Sequence, residues 1–131
     1  MTRILADTSF LMSLVSEPGI NLETLSQQIG TFEMFVIPKI MIELQTMTSS
    51  KSVQRARRAR TALEFARQLK VDGPEGNLST DDAILRYAID QKTPVATFDQ
   101  DLRRSLRRAK IPVVTRRSRI LILEGAIPPK R

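Results

Sequence analysis

The sequence predicts an α/β protein with three layers, in which helices cover both faces of a central, mostly parallel sheet. Short apolar runs of strand length, beginning with Ile4–Ala6, alternate with longer segments that have the apolar spacing of helices. A carboxylate directly follows the first run, at Asp7, and another lies two residues after the run 95–97, at Asp99. Open α/β sheets bind ligands beyond the carboxyl ends of their strands, so these acids mark an expected site.

The first half of the chain is predicted to hold two strands and four helices. The first strand passes through Ile4–Ala6, and a helix with Thr8 or Ser9 as its N-cap continues to about Val15. Apolar residues at 22, 25 and 29 predict a second helix, over 20–29, which Gly30 ends. The elements expected after it are a strand at 35–37, a helix from Lys39 to about Thr48 that Pro38 can open, and a helix over 52–69 with an alanine-rich apolar seam that begins at Val53.

The second half is predicted to alternate strands and helices more regularly. Its first helix has Ser79 or Thr80 as its N-cap. One domain over 1–124 is expected, followed by a loose tail over 125–131 that contains two prolines. The expected elements are a helix over 81–90, a strand at 95–97, a helix over 102–109, a strand at 111–114, a basic turn with Arg116, Arg117 and Arg119, and a strand at 120–123.

Composition excludes several kinds of chemistry. The 131 residues, 41% of them apolar, suffice for one domain with its own core. Neither histidine nor cysteine occurs, which excludes disulfides, thiolate and histidine metal sites, and catalysis by a histidine base or a cysteine nucleophile. Carboxylates would have to supply any metal site, and a site of oxygen ligands favours Mg²⁺ or Mn²⁺ over zinc.

The charge of the chain indicates a polyanionic partner. Lys and Arg outnumber Asp and Glu by 21 to 14, and 15 of these 21 cations are arginine, whose planar guanidinium suits phosphate. Nucleic acid is the expected partner. No segment is long and apolar enough for a membrane span or a secretory signal, so an intracellular, cytoplasmic protein without membrane contact is expected.

Four carboxylates fall where the predicted sheet would bring them to one edge. Asp7 and Asp99 follow strands, Glu43 lies beside the apolar stripe of its helix, and Asp81 heads the apolar stripe of another helix. Each acid also has a simpler explanation: the two that follow strands could cap helices, Glu43 could extend to solvent, and Asp81 could interact with a helix dipole. A dipole interaction does not require Asp81 to face the core, however, and clustered carboxylates repel one another unless one is protonated or a cation binds.

The segments that carry these acids resemble a PIN domain, a metal-dependent ribonuclease fold. The matching segments are 4–11, 37–44, 81–88 and 95–102, so the resemblance extends over nearly the whole chain. The arginine-rich part of the chain from its third quarter onward departs from the family pattern. The paired acids and the run 101–104 are more similar to the archaeal and eukaryotic ribosome-processing branch than to the VapC toxin branch. The resemblance implies a metal site of Asp7, Glu43, Asp81 and Asp99, supporting hydroxyls at Ser9 and Thr97, and an outer ligand at Asp82 or Asp101.

The function that the resemblance implies is a divalent-metal-dependent endoribonuclease that hydrolyses RNA phosphodiester bonds, with rRNA processing as its setting. The cofactor expected is Mg²⁺ or Mn²⁺. Arginines on the helices and near the C-terminus are expected to hold the RNA backbone without reading its sequence. They are Arg55, Arg58, Arg103, Arg104, Arg107, Arg108, Arg116 and Arg117.

Two other functions remain open from the sequence. One is a non-catalytic RNA-binding module with the same fold, and the other is a toxin ribonuclease held by an antitoxin. Expected partners besides RNA are accordingly an antitoxin or a ribosome-assembly protein. A second copy of the chain is a further candidate, through the apolar residues of the helix over 20–29.

Overall fold

One six-stranded sheet forms the centre of the molecule in a computed structural model that describes residues 1–127. Its strands, in chain order, are β1 (Thr2–Ala6), β2 (Phe32–Val36), β3 (Lys70–Val71), β4 (Val95–Ala96), β5 (Val113–Arg117) and β6 (Ile120–Glu124). They lie side by side in the order β3-β2-β1-β4-β5-β6. All neighbouring pairs are parallel except β5 and β6, which form an antiparallel hairpin. The predicted mostly parallel α/β sheet is therefore confirmed.

Six helices connect the strands. They are α1 (Thr8–Ser16), α2 (Leu22–Ile29), α3 (Pro38–Met47), α4 (Val53–Ala66), α5 (Thr80–Gln91) and α6 (Gln100–Arg108). Proline stands at the first position of α3, where its missing N–H costs nothing. Gly30 ends α2 with φ of 77°, a conformation that glycine adopts without steric cost. No helix in the range 1–127 combines the length and the apolar character needed to cross a bilayer.

The sheet changes direction between β1 and β4. From β1 the chain adds β2 and then β3 on one side, and it then returns to place β4 and β5 on the other side of β1. Because parallel crossovers are right-handed, connections that run in opposite directions lie on opposite faces, so α1–α4 cover one face and α5 and α6 the other. Ligand sites of such sheets form at this reversal, beyond the carboxyl ends of the two strands.

The core consists of apolar strand residues covered on both faces. Leu5, Phe35, Val95 and Val113, on four neighbouring strands, are fully buried. Two-sided burial explains why these strands are short continuous apolar runs and not alternating patterns. The apolar residues of α2 also pack within the chain, where Leu25 is fully buried and Leu22 and Ile29 are partly buried. The expected contact of this helix with a second copy stays a prediction.

The local structure differs from the sequence prediction at several points. The N-cap of α1 is Asp7, and neither Thr8 nor Ser9, because the Asp7 carboxylate accepts a hydrogen bond from the first helical N–H. Arg116 and Arg117 belong to β5 and not to a turn. Val53 is 70% exposed, so the buried seam of α4 begins at Ala56. The strand β3 was not predicted, and of the expected tail over 125–131 the residues 128–131 lie outside the described part.

An ion pair joins α6 to β6 and should make stability depend on pH. Arg103 donates two hydrogen bonds to Glu124, and these bonds hold the pKa of the Glu124 carboxyl below its usual range. A carboxyl with a lowered folded pKa stabilises the fold above its ordinary pKa of 4.5, and this contribution is lost as pH falls through the folded value. Glu124→Gln should therefore lower Tm at pH 7 and have no effect at the acid end of the range.

Thermal unfolding of both chains between pH 3 and pH 7 measures this effect, with Glu75→Gln in the exposed loop after β3 as the control. A difference in Tm that is equally large at both ends of the pH range would contradict the assignment.

Candidate active site

Asp7 lies at the centre of the sheet edge, where β1 ends and α1 begins. It is buried, and its carboxylate accepts three hydrogen bonds. The Thr8 N–H donates to Oδ1 at 2.7 Å, and the Ser9 and Thr97 hydroxyls donate to Oδ2 at 2.9 and 2.7 Å. Burial raises the pKa of the Asp7 carboxyl, the charge of Glu43 raises it further, and the three hydrogen bonds oppose this shift.

The hydroxyls of Ser9 and Thr97 also fix the neighbouring loop. The Phe98 N–H donates to Ser9 Oγ at 3.1 Å, and the Asp99 N–H donates to Thr97 Oγ1 at 3.1 Å. These bonds join the start of α1 to the segment that leads from β4 into α6. Both predicted supporting hydroxyls therefore contact Asp7, and they set the position of Asp99 relative to it.

Asp99 is the N-cap of α6, since its Oδ1 accepts a hydrogen bond from the Leu102 N–H at 2.9 Å. Glu43 comes from α3 and accepts a hydrogen bond from the Thr80 hydroxyl, at the start of α5, at 2.8 Å. The simple capping explanation therefore applies to Asp99, but its capping bond uses one oxygen and leaves the other available. Glu43 is half-buried and partnered, so it does not simply extend to solvent.

Asp81 shows the electrostatic coupling of the acids. It projects from the first turn of α5 and stays exposed, which corrects the expectation that it faces the core. The pKa of its carboxyl is raised by partial burial and then by the charges of Asp7, Asp99 and Glu43. Asp81 therefore lies within electrostatic range of the other three predicted acids.

A single cavity of about 680 Å³ is lined by all four acids, which come from four different connections of the sheet. Helix α4 contributes Arg55 and Arg58 to its wall. Within residues 1–127 neither of these guanidinium groups forms an ion pair with an acid. The cavity therefore combines carboxylates with arginine side chains that are free to bind an anion.

The donor set suits a hard divalent cation in its chemistry, because it consists of oxygen atoms alone. In addition, Thr8 Oγ1 is buried at this cavity and has no hydrogen-bond partner. Buried polar atoms are normally satisfied, so within residues 1–127 this hydroxyl is an exception. No group of three or more acids in the described chain has the arrangement of a finished metal site, however.

The two predicted outer ligands do not reach the cavity. Asp101 is directed to Arg104, with 2.9 Å between Oδ1 and NH1, and its side chain is 90% exposed. Asp82 lies exposed on α5 and is not part of the cavity lining, although its charge also acts on Asp81. Neither residue is placed to contact a group bound between the four acids.

Of the eight arginines predicted to bind RNA, Arg55 and Arg58 line the cavity. Arg108 and Arg117 are exposed elsewhere. The other four are engaged within the chain: Arg103 with Glu124, Arg104 with Asp101, Arg116 with Glu17, and Arg107 with the Ile111 carbonyl.

Two threonines of the site were not recognised in the sequence. Ser79 is the N-cap of α5, so the hydroxyl of Thr80 is free to donate to Glu43. The one signal in the sequence is that two cap candidates, Ser79 and Thr80, stand next to each other. Thr8 was considered as a helix cap, but its hydroxyl lies buried at the cavity. Its functional relevance depends on its three-dimensional surroundings, which the sequence does not display.

Comparison with known proteins agrees with this architecture. The structure of the PIN domain endonuclease Utp24 is similar with a TM-score of 0.75 and 22% sequence identity, over 95% of this chain and 92% of that chain. The crystal structure of PAE2754 from Pyrobaculum aerophilum is similar with a TM-score of 0.54 and 15% identity, over 79% and 86% of the two chains. A search of curated proteins found no match.

A family model described as a PIN-like domain matches residues 4–119. This range begins in β1 and ends after β5, so it includes the elements that carry all four acids. The chain belongs to the PIN-like domain family.

Proposed function

We propose that this protein is a divalent-metal-dependent endoribonuclease that hydrolyses RNA phosphodiester bonds. The observation that carries the proposal is the convergence of Asp7, Glu43, Asp81 and Asp99 on one cavity. The same cavity contains two arginines that have no ion-pair partner in the described part of the chain. Carboxylates suit a hard cation and guanidinium groups suit phosphates, so the two sets together fit the hydrolysis of a phosphodiester. The similar protein Utp24 is described as a PIN domain endonuclease, which supports the same class of reaction.

In this proposal each side chain has a distinct role. Asp7, Glu43, Asp81 and Asp99 would hold Mg²⁺ or Mn²⁺. When bound, the ion supplies an activated water nucleophile and offsets charge on the scissile phosphate. Ser9 and Thr97 hold the Asp7 carboxylate in one orientation through the bonds of 2.9 and 2.7 Å.

Arg55 and Arg58 bind the phosphates of the RNA beside the acids. They lie three residues apart on α4, so both guanidinium groups project from one side of the helix. Contacts of this kind hold the sugar-phosphate backbone and do not read bases. We propose the processing of ribosomal RNA as the setting of this activity. In this proposal Asp82 and Asp101 lie outside the metal site.

The second candidate is a non-catalytic RNA-binding module of the same fold. The arrangement of the acids favours it, because no group of three or more acids in the described chain is placed to hold a metal ion. Such a protein would bind RNA with strong salt dependence and would not cut it. Metal-dependent cleavage separates the two candidates.

Removal of divalent metal is expected to abolish cleavage. Labelled single-stranded and structured RNA should be cut in Mn²⁺ or Mg²⁺, and EDTA should reduce the rate by at least about 100-fold, the scale of losing one electrostatic stabiliser of the transition state. Asp99→Ser should reduce cleavage as strongly, while serine preserves the N-cap of α6 and thus the fold. Gel analysis of the products measures both effects.

Glu75→Gln serves as the control, because this acid lies in the exposed loop after β3 and does not line the cavity with the four acids. RNA binding without cutting in either metal would favour the binding module. Equal cleavage in EDTA and in Mn²⁺ would contradict the role given to the acids.

A further inference from the structure

A second cavity, of about 470 Å³, lies next to the first. Its lining includes Phe98 and Gln100, which flank Asp99 in the chain, and Glu17, which caps the C-terminal end of α1. The first cavity is lined by Asp99 and by Ser13, one turn before Glu17 on α1. No residue lines both cavities, but the segment that leads into α6 and the second half of α1 contribute residues to each.

Arg116 is fixed at this second cavity by two contacts. Its guanidinium lies over the ring of Phe98, 4.7 Å from the centroid, and its NH1 donates to Glu17 at 2.7 Å. Phe98 is itself held by packing against Phe10, with 5.3 Å between ring centroids. A guanidinium that is held by a ring and a carboxylate in this way keeps its remaining N–H groups in a fixed direction, which reduces the entropy lost when it binds an anion.

Further donors complete the cavity. Arg119 is exposed beside Gly19, and within residues 1–127 its guanidinium has no acidic partner. The side chains of Gln100 and Ser118 also line the space and can donate hydrogen bonds. The lining therefore contains two guanidinium groups against one acid, Glu17, together with three neutral side chains that can donate, since Thr115 joins Gln100 and Ser118. This balance favours an anion.

We propose that this second cavity binds the phosphate of a nucleotide that flanks the scissile linkage in single-stranded RNA. The proposal rests on the proposed function, because the ligand is the same RNA strand that the acids would cut. Arg116 and Arg119 bind the phosphate oxygens, and Gln100 and Ser118 donate to the phosphate or the sugar, as uncharged side chains do at nucleic-acid backbones. The strand then passes from Arg55 and Arg58 over the acids to this subsite.

Glu17 distinguishes phosphate binding from a purely structural ion pair. If Arg116 served only to pair with Glu17, loss of either partner would have the same effect on the protein. If Arg116 binds phosphate, loss of Glu17 removes a repelling charge and frees NH1, while the contact with the Phe98 ring still orients the guanidinium. Substitutions of the two partners should then change RNA affinity in opposite directions.

Binding of a short fluorescein-labelled oligouridine, followed by fluorescence anisotropy over a series of salt concentrations, tests the proposal. All substitutions are made in the full chain carrying Asp7→Asn and are measured in EDTA, so that cleavage does not interfere. Arg116→Gln and Arg119→Gln should each weaken binding about tenfold, the scale of a charged hydrogen bond. Each should also reduce the slope of log affinity against log salt by about 0.7. Glu17→Gln should tighten binding.

Arg60→Gln is the matched control, because Arg60 lies on α4 but lines a separate cleft with Gln45 and Thr48. The proposal would be overturned if Arg116→Gln and Arg119→Gln bound RNA with the same affinity as this control. It would also be overturned if Glu17→Gln and Arg116→Gln weakened RNA binding equally. If Arg116→Gln does not fold, the RNA affinity of Arg119→Gln tests the proposal. Should the wild-type chain bind with this pattern but fail to cut RNA in Mn²⁺, the proposed function would be wrong, and the second cavity would stand as a phosphate site of an RNA-binding module.

Discussion

Asp7→Asn is expected to abolish RNA cleavage and, in metal-free buffer at pH 7, to raise the Tm. The loss of activity should be at least about 100-fold, since the substitution removes the central carboxylate of the site. The gain in stability follows from the raised pKa of the Asp7 carboxyl, which is caused first by burial and also by the charge of Glu43. A neutral amide removes the cost of holding a charge there.

One hydrogen bond of Asp7 is kept in this substitution, and the other two reverse direction. Asparagine is as good an N-cap as aspartate, so Oδ1 can still accept from the Thr8 N–H. The amide nitrogen replaces Oδ2 and donates to the hydroxyl oxygens of Ser9 and Thr97, which can accept as well as donate. The variant therefore changes the charge of the site with little change in its shape.

The stabilisation should also vary with pH. A carboxyl whose folded pKa is raised destabilises the fold as pH rises above its ordinary value of 3.8, and it has no such effect below that value. The difference in Tm between Asp7→Asn and the wild type should therefore vanish in acid and grow toward neutral pH. Asp101→Asn, at an exposed acid outside the cavity, is the control and should preserve activity. A lower Tm for Asp7→Asn at pH 7, or full cleavage activity, would contradict this account.

Phe10→Ala is expected to cost about 3–5 kcal/mol of unfolding free energy, the usual range for removing a buried phenylalanine. Phe10 is fully buried on α1 and packs against Phe98, so the substitution leaves a cavity between α1 and the segment before Asp99. For a chain of this size the Tm should fall on the order of 10–20 °C. Chemical and thermal denaturation measure both quantities.

Two variants set the scale for this effect. Phe10→Leu keeps much of the apolar volume and should cost clearly less than Phe10→Ala. Ile42→Ala removes a residue that is 58% exposed and should have an effect below about 1 kcal/mol. A loss for Phe10→Ala no greater than that for Ile42→Ala would show that the packing of Phe10 against Phe98 does not support the fold.

Much of the fold could be predicted because its elements have strong local patterns. The strands at the centre are buried on both faces, so their apolar runs stand out, as at Ile4–Ala6 and at Val95 and Ala96. The edge strand β3 could not be recognised, since both its residues are exposed and carry no burial pattern. The exposed end of β5 could not be recognised either, because Arg116 and Arg117 do not contribute to the core.

The acids of the candidate site could be named because strand ends and helix starts are local features. What their surroundings do to them could not be predicted. The ion pair between Arg116 and Glu17 joins residues 99 positions apart, and the hydrogen bond from Thr80 to Glu43 spans 37 positions. Such contacts decide how each side chain is held and which of its polar groups remain available to a ligand, and they depend on the packing of the whole chain.

The side chain of Gln28 closes one border of the sheet. It donates to the Leu121 carbonyl at 2.6 Å and accepts from the Leu123 N–H at 3.2 Å, so its amide pairs with β6 as a neighbouring strand would. These are the groups with which another molecule would extend the sheet. At the opposite border, β3 is only two residues long and offers little for pairing. Both borders thus resist the strand-to-strand stacking by which sheets grow into fibrils, and Gln28 is the residue whose loss would open one of them.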